Sequence, residues 1–269
     1  AFDIYSGTLK GGALEGFFSI GNDSISENKI NIIPGVGFIN KTLSEETMEE
    51  IVGVLKSYLP EDRFKPVHNS TAFTIYNTVN YKDFNWYVET AFKGKDIFFN
   101  PFASVTGSSE LGKYDFKKGS VLYSSLSYSS EKLSASIEGK RTENFTFRID
   151  PSLRLLRGLI SYIPPMNRQN TYRLTARYSP ATQEISEQAF QIDVRYKLNE
   201  KLGILLNHSN INTLEGVKLF REALAEVTYK TKSNMQVIAG LQLLQYNQEV
   251  YETKPEVPIV KTTTPYIDV

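Results

Sequence analysis

Apolar and polar residues alternate with a period of two along much of this chain. Between residues 189 and 198, Phe190, Ile192, Val194, Tyr196 and Leu198 fall on one side, while Gln191, Asp193, Arg195 and Lys197 fall on the other. Residues 171–178 repeat the plan, with Tyr172, Leu174, Ala176 and Tyr178 opposite Thr171, Arg173, Thr175 and Arg177. Later, Ala225, Val227 and Tyr229 oppose Glu226, Thr228 and Lys230. Side chains of a strand point alternately to opposite faces, so each segment reads as a strand with one apolar and one ionic side. A helix would spread the same residues around its circumference. The pattern predicts strands over 2–9, 13–20, 71–80, 86–93, 120–128, 132–140, 158–163, 171–178, 189–198, 202–209, 222–230 and 235–246.

The joints between these segments alternate in length. Lys10-Gly11-Gly12, residues 81–85, 129–131, 164–170, 199–201 and 231–234 are short; residues 21–70, 94–119, 141–157, 179–188 and 210–221 are longer and polar. Short turns at one end and long loops at the other are the signature of an up-and-down antiparallel β-barrel of the outer-membrane type. Three features favour lipid on the apolar side. The other face carries many ionic groups, the strand lengths suit a tilted crossing, and rings bracket the aliphatic positions. Tyr172 and Tyr178, and likewise Phe190 and Tyr196, are the expected aromatic girdle. A soluble β-sheet binding protein, with a second sheet on the apolar face, is the alternative that alternation leaves open.

The loop at 21–70 contains a helix, expected over residues 42–59. Thr42 and Glu45 fit a capping box, Pro60 closes the helix, and Met48, Ile51, Val52, Leu55, Tyr58 and Leu59 form one stripe. That stripe is a candidate plug or docking surface, or else packs on the barrel rim. With 235–246 as the last clear strand, both termini fall at the long-loop end. The expectation is therefore a single β-barrel domain over residues 1–269 that is incomplete at both ends, the alternative being one further strand at each end, for example within residues 254–269.

Composition narrows the function classes. The chain has 269 residues, with 30 Lys+Arg against 30 Asp+Glu, so no basic surface calls for nucleic acid. It has no Cys, which excludes disulfides, thiolate metal sites and a cysteine nucleophile. Sixteen Phe, 16 Tyr and one Trp give an aromatic content of 12%, in keeping with amphipathic rings at two interfaces. There is no apolar run long enough for a transmembrane helix.

The stretch from residue 120 to 178 carries a resemblance. A strand pair precedes Arg141-Thr142-Glu143-Asn144-Phe145-Thr146-Phe147-Arg148, and Ser161-Tyr162-Ile163-Pro164-Pro165-Met166-Asn167-Arg168-Gln169-Asn170-Thr171-Tyr172 leads on to Tyr178-Ser179-Pro180-Ala181-Thr182-Gln183. This resembles a family of outer-membrane β-barrels of Bacteroidota known only as a domain of unknown function. The resemblance covers residues 120–206 best and implies the bacterial outer membrane, lipid as surroundings and a longer whole. It brings no catalytic residues and no cofactor.

Candidate chemistry is sparse. His68-Asn69-Ser70 and Asn207-His208-Ser209 invite a membrane-embedded hydrolase, which needs a Ser, a His and a third group to orient it. Neighbours in a strand face opposite ways, so His208 and Ser209 cannot meet locally. No calcium loop and no phosphate-binding glycine loop is present. Asp23-Ser24-Ile25 is similar to a short Bacteroidota O-glycan sequon. Arg173, Arg177, Asp193, Arg195 and Lys197 share the inward register of two strands and are candidates for lining a lumen, either as a charge filter or as ion pairs that fill it. The sequence thus predicts a non-enzymatic, porin-like outer-membrane barrel without a cofactor. It would serve as a diffusion or transport pore, or as a structural barrel binding other outer-membrane proteins.

Overall fold

Alternation is realised as one continuous antiparallel sheet. The computed structural model describes residues 7–21, 29–153, 157–161, 163–231 and 235–269. The elements are β1 (Thr8–Glu15), β2 (Phe18–Ile20), β3 (Ile30–Thr42), α1 (Glu45–Ser57), β4 (Asn69–Tyr81), β5 (Phe84–Ser104), β6 (Leu111–Ser129), β7 (Leu133–Glu143), β8 (Ser186–Lys197), β9 (Leu202–Asn212), β10 (Lys218–Lys230), β11 (Gln236–Tyr246), α2 (Gln248–Tyr251) and β12 (Val260–Asp268). Strands pair in the order β1-β3-β4 and onward to β12, with β2 continuing the line of β1 along β3. Every ladder is antiparallel and every connection up-and-down. Among the described residues no ladder joins β1 to β12; ten successive antiparallel pairings leave these two edges running in the same direction.

Several expected boundaries shift, each for a local reason. The expected strand at 2–9 lies mostly outside the described residues, as does the Asp23-Ser24-Ile25 site. Gly11-Gly12 is not a turn: both residues sit inside β1, paired with Ile39 and Phe38. A Cβ on Gly11 would lie 2.6 Å from the Phe38 carbonyl oxygen, so glycine serves close backbone approach here. Strand β3 falls wholly within the expected long loop. Pro34, Gly35 and Gly37 interrupt its pattern, and the Tyr76 ring lies over Gly35 where a Cβ would stand. Strand β12 occupies the region named above as the alternative; its Thr262-Thr263-Thr264 run has no apolar period. With β12 present the last strand ends beside Ile238 at the short-turn end, so only β1 keeps its start at the long-loop end.

Two expected strands are not strands. The described residues of 158–163 contribute a single bridge, Leu159 to Arg148, and 171–178 are turns in which the Ala176 N–H donates to the Tyr172 carbonyl. Pro164, Pro165 and Pro180 surround these stretches and remove the donors a ladder needs. Both belong to one excursion, residues 144–185, which leaves β7 at the long-loop end and returns to β8. It folds onto one face of the sheet, called the inward face below.

The helix begins later than expected. Thr42 ends β3, and Ser44 is the N-cap, its hydroxyl accepting from the Thr47 N–H at 3.1 Å. Met48, Ile51, Leu55 and Tyr58 are buried with Leu43 and Ile97, and Val52, Phe64, Val105, Tyr114 and Phe116 pack around them. The stripe is covered by the chain's own β5–β6 hairpin, which runs well beyond the strands expected there. Only Leu59 of the stripe is exposed. Helix α1 therefore packs on the rim, and its apolar face is not left open for docking.

The outward face is apolar across the sheet. Phe38, Phe73 and Phe92 are successive cross-strand partners, and so are Tyr81, Phe84 and Tyr128. The Phe84 and Tyr128 rings lie 4.7 Å apart. Between these rows lie Val36, Ile75, Trp86, Leu122, Leu126 and Ile137, and the band continues through Leu206, Val227, Leu241 and Ile267. Phe73 to Tyr81 is eight residue steps, about 27 Å along the strand at ~3.4 Å per residue. Beyond the phenylalanine row the face turns polar at once: Asn40 donates to Thr71 and Thr42 to Asn69.

Candidate functional site

The inward face and the excursion at 144–185 meet through buried charge. Lys140 on β7 and Glu187 on β8 are 2.7 Å apart with both side chains fully buried. Lys140 also donates to the Pro164 carbonyl at 2.7 Å and to the Thr182 hydroxyl at 3.0 Å, and the Gln183 N–H donates to Glu187 at 2.6 Å. One ion pair on the wall thereby holds both limbs of the excursion. Removing a charge from water costs several kcal/mol, about enough to require that every such group be paired and hydrogen-bonded, as these are.

A second junction lies nearer the long-loop end. Lys41 on β3 meets Asp96 on β5 at 2.7 Å, and Lys93 reaches the same carboxylate at 3.4 Å while donating to the Thr146 carbonyl at 2.8 Å. The two ammonium groups stand over the Phe147 and Phe98 rings at 4.8 and 4.7 Å. Phe147 itself is buried. A bulge between Lys93 and Asp96 lets both residues turn inward despite their spacing.

The excursion then continues across to the far strands. Arg168 pairs with Glu226 at 3.2 Å, Asn170 donates to Glu222 at 2.7 Å, and Gln242 donates to Glu222 and to the Thr175 carbonyl. Tyr172 donates to Asp268 at 2.9 Å and its ring lies 4.8 Å from Tyr266. Met166 is fully buried among Ala189, Ile211, Leu219, Phe220 and Leu244. The excursion thus touches inward residues from β3 to β12 and reaches down to Asp268, level with Ile238 near the short-turn end. It is a plug.

The expected site residues divide between wall and plug. Asp193 and Arg195 do lie on the inward register of β8, 3.1 Å apart, with Arg195 largely exposed, and Asn207 also donates to Asp193. Lys197 is exposed at the end of β8. Arg173 and Arg177 are not on a strand and do not join them. Both are exposed on the plug, and Arg177 stacks over Tyr178 at 5.2 Å. Tyr172 and Tyr178 are likewise plug residues, Tyr178 packing on Tyr246 at 5.0 Å between ring centres. Phe190 and Tyr196 stay on the outward face of β8, six residues apart. The residues that carry the junctions were missed: Lys41, Lys93, Asp96, Lys140, Glu187, Glu222 and Arg168. Lys140 and Glu222 stand at the polar parity of expected strands, a signal sufficient to place them inward but not to name their partners.

No hydrolytic arrangement forms around the histidines. His208 faces outward against the Phe190 ring at 5.7 Å, whereas Ser209 is buried on the other face. His68 sits at the rim, its Nδ1 3.5 Å from the Leu43 carbonyl oxygen. Among the described residues no group of three His, Asp or Glu is placed to hold a metal ion, and no helix is long and apolar enough to cross a membrane.

Comparison with solved structures finds two β-barrel proteins among others. Outer-membrane expressed OmpT of Vibrio cholerae is 9% identical with a TM-score of 0.33, covering 96% of this chain and 95% of that one. A Pseudomonas aeruginosa FadL homologue is 12% identical with a TM-score of 0.28, covering 89% of this chain and 60% of that one. No curated protein matches the chain. Residues 2–269 match the profile of DUF6029, described as a family of unknown function, and the chain belongs to that family.

Proposed function

We propose that this chain is the wall of a non-enzymatic bacterial outer-membrane β-barrel whose interior is closed by its own plug, so that it acts as a gated conduit. The observation that carries the reading is the outward band, apolar across the sheet and framed by the rows Phe38-Phe73-Phe92 and Tyr81-Phe84-Tyr128. Soluble monomers rarely leave so large an apolar surface uncovered, and nine residues from row to row suit a tilted crossing strand. Lipid is then the first partner, and resemblance to Bacteroidota barrels supports that setting. Inward charges of both signs are paired, within the wall at Lys140–Glu187 and between plug and wall at Arg168–Glu226, which favours a closed path over a standing ring of one sign.

The test is insertion and conduction. The protein folded into phosphatidylcholine vesicles is expected to be protected from protease along its strands and to conduct weakly. Deleting residues 146–182 should raise the conductance. A protein that remains monomeric in buffer without detergent would end this reading, as would equal conductance with and without the plug.

A second reading, a structural barrel binding other outer-membrane proteins, is favoured by one observation. Among the described residues nothing pairs with the outer edges of β1 and β12, which run in the same direction. All-antiparallel closure needs at least one further strand between them, from this protein's own remaining chain or from a partner. Cross-linking from β12 at Thr263 distinguishes these: adducts with another polypeptide support the partner, and intramolecular adducts support self-closure.

A further inference from the structure

Between the plug and the first strands lies an open pocket of about 740 Å³, which at the β1 edge also reaches Phe38 and Phe73. Its wall side is made of small and aliphatic residues, Ala13, Gly37, Ile39, Ala72, Ala91 and Val121, and its plug side of Phe145, Phe147, Ile160, Ile163 and Pro164. Such a volume, mainly apolar with a few convergent polar groups, is typical of a small-molecule site.

The polar groups define what fits. Glu89 stands at the wall with one carboxylate oxygen accepting from Thr74 at 2.6 Å and the other from Tyr87 at 2.6 Å. Tyr123 also lines the cavity, its hydroxyl already donating to Glu138 at 2.9 Å. On the plug, the Ser161 hydroxyl is buried and has no hydrogen-bond partner among the described residues. Among the described lining residues there is no Lys, Arg or His. A carboxylate entering here would meet Glu89 without a compensating cation, whereas a hydroxyl or ammonium head finds acceptors in Glu89 and Ser161.

We infer that this cavity binds a long apolar molecule with a hydrogen-bond-donating head, an alcohol or amine, and rejects the corresponding carboxylate. This deepens the conduit reading by naming the class of molecule the plug meets, and it rests on that reading only for transport, since binding is measured separately.

The experiment uses the intact chain in dodecyl maltoside with radiolabelled hexadecanol and hexadecanoate, read by scintillation proximity against empty micelles. Saturable one-to-one binding of hexadecanol is expected, at least about tenfold tighter than hexadecanoate at neutral pH, because the charged head is buried without a partner. Ala91→Trp, which fills the cavity, should abolish binding, while the outward Leu122→Trp should leave it unchanged. Should Ala91→Trp fail to fold, Ala72→Leu serves the same purpose. Glu89→Gln should narrow the preference for the alcohol. The inference is overturned by binding no greater than in empty micelles, by hexadecanoate binding equally well, or by unchanged affinity in a folded cavity-filling variant. Conductance that fails to respond to plug deletion would defeat the conduit reading and leave these binding results standing.

Discussion

Lys140 and Glu187 face each other at 2.7 Å across the β7–β8 ladder, and neither side chain reaches solvent. They are not opposite in register: Lys140 pairs with Ala189 and Glu187 with Thr142, so the contact is diagonal. The plug's two limbs, through Pro164 and Gln183, converge on this diagonal. The ion pair therefore fastens a loop as well as two strands.

Breaking that pair should loosen both. Glu187→Ala leaves a buried ammonium group and is expected to cost about 3–5 kcal/mol of stability. Lys140→Met combined with Glu187→Leu removes both charges and should recover most of that loss, yet keep the plug loosened, because the Gln183 N–H then lacks its acceptor. Chemical unfolding in vesicles measures the first effect and conductance the second.

Charge on the outward band should be resisted according to depth. Val88→Arg, midway between the rows at Phe84 and Phe92 on β5, is expected to lower folding stability in a bilayer by about 2–4 kcal/mol. Asn40→Arg, beyond the phenylalanine row, should cost about 0–1 kcal/mol. Equal costs at both positions in urea titrations would mean that the band does not face hydrocarbon.

The rim helix should depend on its buried stripe. Ile51 is 1% exposed, and Ile51→Ala is expected to cost about 2–5 kcal/mol locally, as large-to-small changes in a packed cluster do. Val54, exposed on the other face, should tolerate Ala within about 0.5 kcal/mol. Protease sensitivity of the loop between β3 and β4 reports both.

Asp62, just past α1, ties the helix to the hairpin beyond the band. The Lys113 ammonium 2.8 Å away, and then the Thr106 N–H at 2.6 Å, hold its carboxyl down at about 2. A depressed carboxyl contributes stability that is complete above its unfolded value, about 4, and is lost as pH falls through the folded one. Asp62→Asn should therefore show a constant deficit in helix docking from neutral pH down to about 4, and the two proteins should converge as pH falls to about 2. Carboxyl titration of the rim followed by NMR checks both the value and the convergence.

Strands were legible wherever one face was uniformly apolar. In the segments of β8 and β10, Phe190, Ile192, Val194 and Tyr196, and Ala225, Val227 and Tyr229, do share the outward face that their alternation predicts. Strand β3 hid because Gly35 and Gly37 carry no side chain to alternate; their place on the inward face is filled by Tyr76 and Thr74 from β4. Strand β12 hid because threonine is polar on both faces. Residues 171–178 misled in the opposite sense. Their alternation is genuine, but Tyr172 and Tyr178 reach inward residues of β12 and β11 in place of lipid.

From the order of its residues alone this chain's fate as an up-and-down antiparallel sheet was settled, since a period of two leaves a strand no choice about which side chains share a face. The helix in the first long loop was settled in the same way, by its stripe and its cap. Which excursion would occupy the interior depended on the folded whole. Lys41, Lys140, Glu222 and Asp268 are far apart in sequence, and only pairing of the strands brings them onto one surface. Burial then demands partners for those charges, and the proline-rich stretch between β7 and β8, unable to ladder, supplies them.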